Sequence, residues 1–587
     1  MRDFWLGYTK RYHVKILILA TAYNGLCQRV HRELEIEGHE LTFEMSKDPQ
    51  TMLNTFAIFQ PDLVICPFLK HRIPDEIWQQ VPCLVLHPGI AGDRGPSSLD
   101  WAIINQVEQW GATLLQANHT FDAGAIWATS TFNVEQSTKA HMYRHNITKE
   151  AARMIIESVA KFSRKNKIPF KIKLRSAFTK NTKWRPFMKQ EQRKIDWDED
   201  SSLTIIDKIN AADSDPGVLD KINGRDVYLF GARFEQIDTS NIKGGTVIGQ
   251  RDEAICRATK DGAVWIKQLK MAPSQSKSFF KLPAMRVMTT QIKAKKELPI
   301  LDSRVQNDIS VELKDGVAYL HFDFYNGAFN SEQCKLLLNE FLITSIDSKV
   351  KVIVLMGGED FWSNGIHLNC IEHAKNPASE SWRNINAIND LVKAIIECES
   401  VITVAALRNN AGAGGAIVPL ACDHVIARKG VVLNPHYQVM GLTGSEYWSY
   451  LLPKRVGKQK ALDIMHECLP ILTQEAAEMN MIDHVFDEDM ENYLSQLENY
   501  CQKLVQDKNY KSLLRSKNLL RKTEEKRKKL ITYRTQELKL MREIFDDPAS
   551  AYHQLRYNFV YKIDCGKTPQ RLVFHDNMSM ERQSKIG

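Results

Sequence analysis

No two cysteines in this 587-residue chain are spaced as Cys-x-x-Cys, which argues against a zinc ribbon, an iron–sulfur site or a dithiol redox motif. The 11 cysteines are scattered, at positions such as Cys27, Cys66, Cys83, Cys256, Cys370 and Cys422. That scatter fits a reducing compartment, where thiols serve as small core residues. No apolar stretch approaches the length of a membrane span. The short run Ile16–Ala20 follows Arg2, Lys10, Arg11 and Lys15, but a turn signal, Tyr23-Asn24-Gly25, comes directly after it. It reads as a first strand rather than a signal peptide, and a cytoplasmic protein with no membrane partner is expected. The net charge of +8 is small for the length, and neither a zinc finger nor an RNP-type aromatic motif is present; no nucleic acid is expected as partner. Hydrophobic content of 43% and charged content of 25% exclude disordered and fibrous classes.

What is present is a long α/β chain that should divide into several domains. Val14–Ala20, Leu63–Pro67, Cys83–His87 and Thr113–Ala117 read as buried strands, and Leu26–Glu37 and Thr51–Phe59 carry helical spacing. This alternation predicts a parallel sheet with helices on both faces, with ligands beyond the carboxyl ends of its strands. From Lys180 to Ala284 the texture shifts to short strands, with Asn223-Gly224 and Asp261-Gly262 as hairpin turns, which suggests a small OB-like β-barrel. The charged stretch Gln291–Ser310 with Pro299 reads as a linker. A second α/β unit starts near Val311, with strands at Val317–Phe322, Val350–Met356 and Val401–Ala406. Beyond Glu491 the chain is helical and charged, and the basic run Lys511–Lys539 is either a solvated helix face or a phosphate clamp. The expected division is therefore 1–180, 181–290, a linker at 291–310, 311–490 and 491–587.

Two groups of residues carry chemistry. His87 ends one strand and is followed by the run Gly92-Asp93-Arg94-Gly95-Pro96-Ser97-Ser98; a second strand leads to His119-Thr120-Phe121-Asp122-Ala123-Gly124. A histidine and an aspartate after neighbouring parallel strands can meet at one end of a sheet and move a proton, the carboxylate orienting the imidazole. Further along, Trp362-Ser363-Asn364-Gly365-Ile366-His367-Leu368 and Asn409–Gly415 each follow a strand. Two glycine turns placed this way can aim backbone N–H groups at one oxygen, although each alone also serves as an ordinary tight turn. Nearby, Glu446 in the run TGSEYWSY is either a base of raised pKa or a solvated helix residue, and Tyr437 is a second polar candidate.

The segment from His87-Pro88 through Arg94-Gly95 to Asp122-x-Gly124 resembles the folate-dependent formyltransferases, and the likeness continues through Lys194–Trp197, Asp215-Pro216-Gly217 and Asn223-Gly224 over about the first 285 residues. The resemblance implies His87 as the proton-transfer residue, Asp122 as its orienting partner and 10-formyltetrahydrofolate as formyl donor; Arg94 in the matching run, and Asn24 and Gln28 after the first strand, are candidates for lining that site. One departure is Val85, where that family places an asparagine whose amide could hold a developing oxyanion. The stretch from about Val311 to Phe486 resembles the crotonase (enoyl-CoA hydratase/isomerase) superfamily. That resemblance implies that the N–H groups of Ile366 and Gly414 grip an acyl-CoA carbonyl, with Gly365 and Gly415 beside them, and that a helix follows at Ala416–Asp423. Here the hydratase glutamates are replaced by Ile417 and by the Pro435-His436-Tyr437 stretch. Isoleucine cannot move a proton, so hydration of a double bond is not expected.

The combination of both modules, with Gly92–Leu99, Leu433–Tyr437 and Gly444–Trp448 in support, resembles the HypX (HoxX) hydrogenase-maturation family over nearly the full length. That likeness implies formyl transfer from 10-formyltetrahydrofolate to coenzyme A, then decarbonylation of formyl-CoA to CO for a hydrogenase iron centre. It also implies small-molecule folate and CoA as ligands, with proteins that assemble the iron centre as possible partners and no metal of its own. Tyr437 and Glu446 become candidates for the formyl proton. A formyl-CoA hydrolase or other formyltransferase, and a non-catalytic folate- and CoA-binding scaffold, remain the alternatives.

Overall fold

The computed structural model describes residues 13–45, 48–164, 182–292, 298–563 and 568–573, which form two compact units, one of the described residues up to 192 with 568–573 and one of those from 193 to 563. The basic N-terminal residues Arg2, Lys10 and Arg11, the boundary at 180–181 and part of the expected linker lie outside the described residues.

The first unit is built on a six-stranded sheet in the order Glu40–Met45, Lys15–Ala20, Leu63–Phe68, Cys83–His87, Gln109–Gln116 and Ile126–Asn133. Ile16 to Ala20 are fully buried, as a continuous apolar run must be when helices cover both faces of a parallel sheet. The helix Gly25–Ile36 begins where the Asn24 side chain accepts from the Cys27 N–H, and Pro49–Phe59 begins with Asp48 capping Thr51 and proline in its first turn. The sheet is not wholly parallel. Gln109–Gln116 pairs antiparallel with Cys83–His87, Thr113 lying opposite His87. The expectation of neighbouring parallel strands is therefore corrected, because apolar content marks burial and not direction.

In the second unit, residues 218–283 form a sheet ordered Val247–Arg251, Ala254–Thr259, Gly262–Met271, Arg225–Glu235 and Val218–Ile222, with Leu282–Pro283 added on Gly262–Met271. It is an open sheet and not the expected closed barrel. Closure needs the two outer strands to pair, whereas the outer strand Val247–Arg251 is met by the following chain: Gln250 N–H donates to Pro299 O at 2.9 Å and Leu301 N–H to Gln250 O at 3.1 Å. The described part of the expected linker is thus tied to a sheet edge.

The larger sheet runs Ile309–Lys314, Val317–Phe322, Val352–Gly357, Ile402–Leu407, His424–Arg428 and His484–Phe486, parallel after the first antiparallel pair. The helices Ser331–Ser345 and Pro377–Ile396 pack on it around Leu320, Ile353, Ile388 and Leu391. A partly buried ionic cluster joins the smaller sheet to this one. Lys267 donates to Asp323 at 2.9 Å and lies 3.8 Å from Asp308, while Arg233 bridges Asp323 and Glu359 at 2.9 and 3.0 Å. Burial pushes the Asp308 carboxyl up to about 6 despite Lys267. At Asp323 burial is outweighed by Lys267 and Arg233, which hold it well below the usual carboxylate range.

The C-terminal part is helical as expected, in Met490–Gln506, Tyr510–Arg527, Leu530–Asp546 and Ala551–Tyr561. Tyr510–Arg527 buries none of its residues, and its Lys517 pairs with Asp423 at 2.7 Å. No helix among the described residues is long and apolar enough to cross a membrane. The ten described cysteines are buried and free.

Candidate active sites

His87 is the last residue of its strand and is only 3% exposed. Its Nε2 lies 2.9 Å from Asp93 Oδ2 and its Nδ1 3.6 Å from Asp122 Oδ1. Asp122 reaches it from the connection between the antiparallel strands Gln109–Gln116 and Ile126–Asn133. Asp93 is the tighter partner, and the sequence reading passed over it. Its Oδ2 also accepts from Ser98 Oγ at 2.7 Å, and Oδ1 pairs with the Arg185 guanidinium. Burial raises the Asp93 carboxyl, but donors on His87, Ser98 and Arg185 outweigh it and hold the group below its ordinary value.

The two loops around His87 brace one another. Gly95 N–H donates to Asp122 Oδ2 at 3.0 Å, and Arg94 donates to the Phe121 carbonyl at 2.8 Å while its guanidinium lies over Trp184. Arg94 thus has its groups engaged on the loop that carries Asp122. Asn24 and Gln28 sit at the start of the Gly25–Ile36 helix. Asn24 Nδ2 lies 3.4 Å from Tyr143 Oη, and Gln28 donates to the Tyr23 carbonyl at 3.0 Å. Val85 is paired with Leu115 inside the sheet and packs with the apolar cluster of Leu17, Val64 and Cys66.

In the second unit the two glycine loops are stitched side by side. Trp362 N–H donates to Asn410 O at 2.9 Å, Gly412 N–H to Ser363 O at 2.9 Å, and Phe329 N–H to Gly365 O at 2.8 Å. Gly365 adopts φ +71°, and a methyl there would fall 3.1 Å from Gly414 N, so the loop needs glycine for both conformation and space. Gly414 lies in the first turn of the short 3-10 helix Ala413–Ala416, where backbone N–H groups have no partner within the helix. Ile366 follows Gly365 directly, which brings the two backbone segments named by the sequence together. Gly415 is occupied differently: a methyl on it would strike the Ser363 carbonyl at 2.2 Å, so it faces the neighbouring loop. The helix expected at Ala416–Asp423 is instead a pair of 3-10 turns ending in Val418–Ala421, with Pro419 inside. Ile417 is fully buried in the core.

Glu446 is 2% exposed, which removes the solvated reading. Its Oε2 accepts from Tyr437 Oη and Ser445 Oγ, both at 2.7 Å. A methyl on Gly414 would fall 2.5 Å from Oε1, so the carboxylate lies directly against the Gly414 backbone. Burial raises the Glu446 carboxyl above its ordinary value against these two donors, and burial likewise pushes the Tyr437 hydroxyl well up. Glu446 and Tyr447 both take left-handed backbone, φ 61° and 58°. A third buried acid stands behind them. Glu537, on the helix Leu530–Asp546, accepts from Tyr447 N–H at 3.0 Å and Ser449 N–H at 2.8 Å, and also from Ser449 Oγ. The sequence reading missed it inside a charged run.

The formyl transferase family matches residues 22–159, the formyl transferase C-terminal domain family residues 188–282, and the enoyl-CoA hydratase/isomerase family residues 312–562. The hydrogenase maturation factor HoxX of Bradyrhizobium diazoefficiens is 40% identical over 96% of this chain and 97% of its own length. The structure of HypX from Aquifex aeolicus in complex with tetrahydrofolic acid superposes with a TM-score of 0.90 at 39% identity, covering 96% of this chain and 98% of that one. Methionyl-tRNA formyltransferase of Thermotoga neapolitana is 26% identical over 36% of this chain and 65% of its own length.

Proposed function

Because this chain belongs to the HypX/HoxX hydrogenase-maturation family, we propose that it makes carbon monoxide in two steps, formyl transfer from 10-formyltetrahydrofolate to coenzyme A and decarbonylation of the resulting formyl-CoA. The Aquifex aeolicus relative, crystallised with tetrahydrofolic acid, supports the folate, and the match of residues 312–562 to the enoyl-CoA hydratase/isomerase family supports coenzyme A. The observation that carries the second step is the Tyr437–Glu446 pair packed against Gly414 where the hydratase glutamate position holds Ile417.

In the first step His87 takes the thiol proton as sulfur attacks the formyl carbon and returns it toward the departing folate nitrogen. Asp93 fixes the ring through Nε2, leaving Nδ1 and Asp122 for the exchange. In the second, the N–H groups of Ile366 and Gly414 hold the formyl oxygen, and Glu446 removes the formyl hydrogen as the C–S bond breaks. The formyl carbon and oxygen leave as CO, and the thiolate takes up the proton to restore coenzyme A. Glu446 suits this task because a buried carboxylate is a stronger base than an exposed one. The product would serve proteins that assemble the hydrogenase iron centre, within the cytoplasm.

The deciding experiment incubates the purified chain with 10-formyltetrahydrofolate and coenzyme A and follows CO with reduced myoglobin. CO that requires both substrates and His87 is the expected result. Formate or stable formyl-CoA without CO would sink the decarbonylation step and favour a hydrolase or a plain transferase.

A further inference from the structure

We infer that Glu537 is a positioning residue for the second site, clamping the Glu446–Ser449 turn so that the C-terminal helix Leu530–Asp546 helps to build the centre. The inference rests on the reading of Glu446 as the group that removes the formyl hydrogen. Four observations lead to it. Glu446 and Tyr447 are consecutive non-glycine residues in left-handed backbone. Such residues cost roughly 1–3 kcal/mol each and persist only where their surroundings over-determine them. Those surroundings are Glu537, which takes the Tyr447 and Ser449 N–H groups and the Ser449 hydroxyl on one 4%-exposed carboxylate. It stands at the start of the helix Trp448–Val456, where free N–H groups and the helix dipole favour a negative charge.

The helix carrying Glu537 is itself anchored. Arg534 donates to Asp390 at 2.6 Å and to the Asn386 side chain at 3.0 Å, both on Pro377–Ile396. Leu530, Leu538, Met541 and Phe545 are buried in the same core as Ile388 and Leu391. Glu537 therefore transmits a fixed scaffold to the turn, and the turn sets where the Glu446 carboxylate meets Gly414. Losing the clamp frees the turn to relax its backbone and draws Glu446 away from the formyl hydrogen. The grip on the carbonyl, which comes from the other loops, stays in place.

The test supplies formyl-CoA directly to the full-length chain and measures CO release by Glu537→Gln and Glu537→Ala. Glutamine keeps the shape but turns one acceptor oxygen into a donor, so the three donors cannot all be satisfied. A misplacement of ~1 Å can cost on the order of 10²-fold in rate. The expected result is a kcat at least about tenfold lower in both variants, with KM within about threefold. Folate-dependent formyl transfer in the other unit should be unchanged, and amide hydrogen exchange at Tyr447 and Ser449 should be faster. Full kcat in both folded variants, or a loss confined to KM, would overturn the positioning role. An absence of CO from the unmodified chain would overturn the reaction itself, and the role assigned to Glu446 with it.

Discussion

Tyr437 Oη donates to Glu446 Oε2 at 2.7 Å, and both side chains are buried, the Glu446 carboxylate directly against the Gly414 backbone. The tyrosine hydroxyl thus stabilises the ionised carboxylate while the other oxygen faces Gly414. Glu446→Gln should lower kcat for CO release from formyl-CoA by about 10²–10⁴-fold, the usual worth of a positioned proton acceptor. Tyr437→Phe should cost less, about tenfold, because it removes one of two donors. Myoglobin-detected CO release checks both, and a parental rate in both variants would remove the pair from the mechanism.

A methyl group is expected to be enough to disturb the second site. Gly414→Ala places a carbon 2.5 Å from Glu446 Oε1, which must move the carboxylate or the loop. Formyl-CoA decarbonylation should fall by on the order of 10²-fold, with folate-dependent formyl transfer intact. Equal losses in both reactions would point to misfolding instead.

At the first site, His87→Ala should abolish folate-dependent formyl transfer and leave CO release from added formyl-CoA unaffected. Asp93→Asn is the more informative change, since it keeps the shape but removes the charge that pairs with Arg185 and orients His87. Formyl transfer should drop ~10²-fold, and the first unit should melt at a lower temperature because the Arg185 charge loses its buried partner. An unchanged transfer rate would leave Asp122 as the only orienting carboxylate.

Acidity should act on the second unit in two opposite senses. Glu446 must be ionised to accept a proton, and burial raises its pKa. The kcat for CO release should therefore fall as pH drops through a limb above the ordinary carboxylate value, and a limb at or below about 4.3 would contradict this. Folding stability runs the other way. Asp308 is pushed up by burial to about 6, so the native state keeps a proton that the unfolded chain has released. Its contribution is present below the ordinary aspartate value and is lost as pH rises through about 6. Denaturant midpoints should fall between about pH 4 and pH 7, and Asp308→Asn should flatten that slope.

The ionic cluster between the two sheets of the second unit predicts a large stability effect. Lys267→Met leaves Asp308 and Asp323 facing each other with only Arg233 to compensate. Breaking such a buried arrangement costs about 3–5 kcal/mol. A clear drop in the denaturant midpoint of the second unit should follow; an effect below about 1 kcal/mol would show that water reaches the cluster.

The sequence made some of this architecture legible and hid the rest for physical reasons. The strand Cys83–His87 and the loops at Gly365 and Gly414 could be read because apolar runs and glycine turns leave local marks. The antiparallel direction of Gln109–Gln116 could not, because a buried strand has the same composition whichever way it runs. The openness of the sheet at 218–283 is hidden for a similar reason, since closure depends on what the outer strands pair with. Asp93 stood in plain view six residues after His87, but its role depends on Arg185, 92 positions away, and no spacing rule connects those two. Glu537 did leave a trace. It falls seven residues after buried Leu530 and four before buried Met541, which puts an acid on the apolar stripe of an otherwise amphipathic helix.

The cluster of Lys267, Arg233, Asp308 and Asp323 also bears on how this chain can be divided. The matched families break between residues 282 and 312, an inviting place to cut. A fragment starting there would keep Asp323 and Glu359 but lose both cations that neutralise them, Arg233 and Lys267. The segment matching the enoyl-CoA hydratase/isomerase family is thus not expected to be portable by itself. A cut at Arg193, where the second compact unit begins, keeps all four charges together, so the open sheet at 218–283 serves as a foundation for its neighbour.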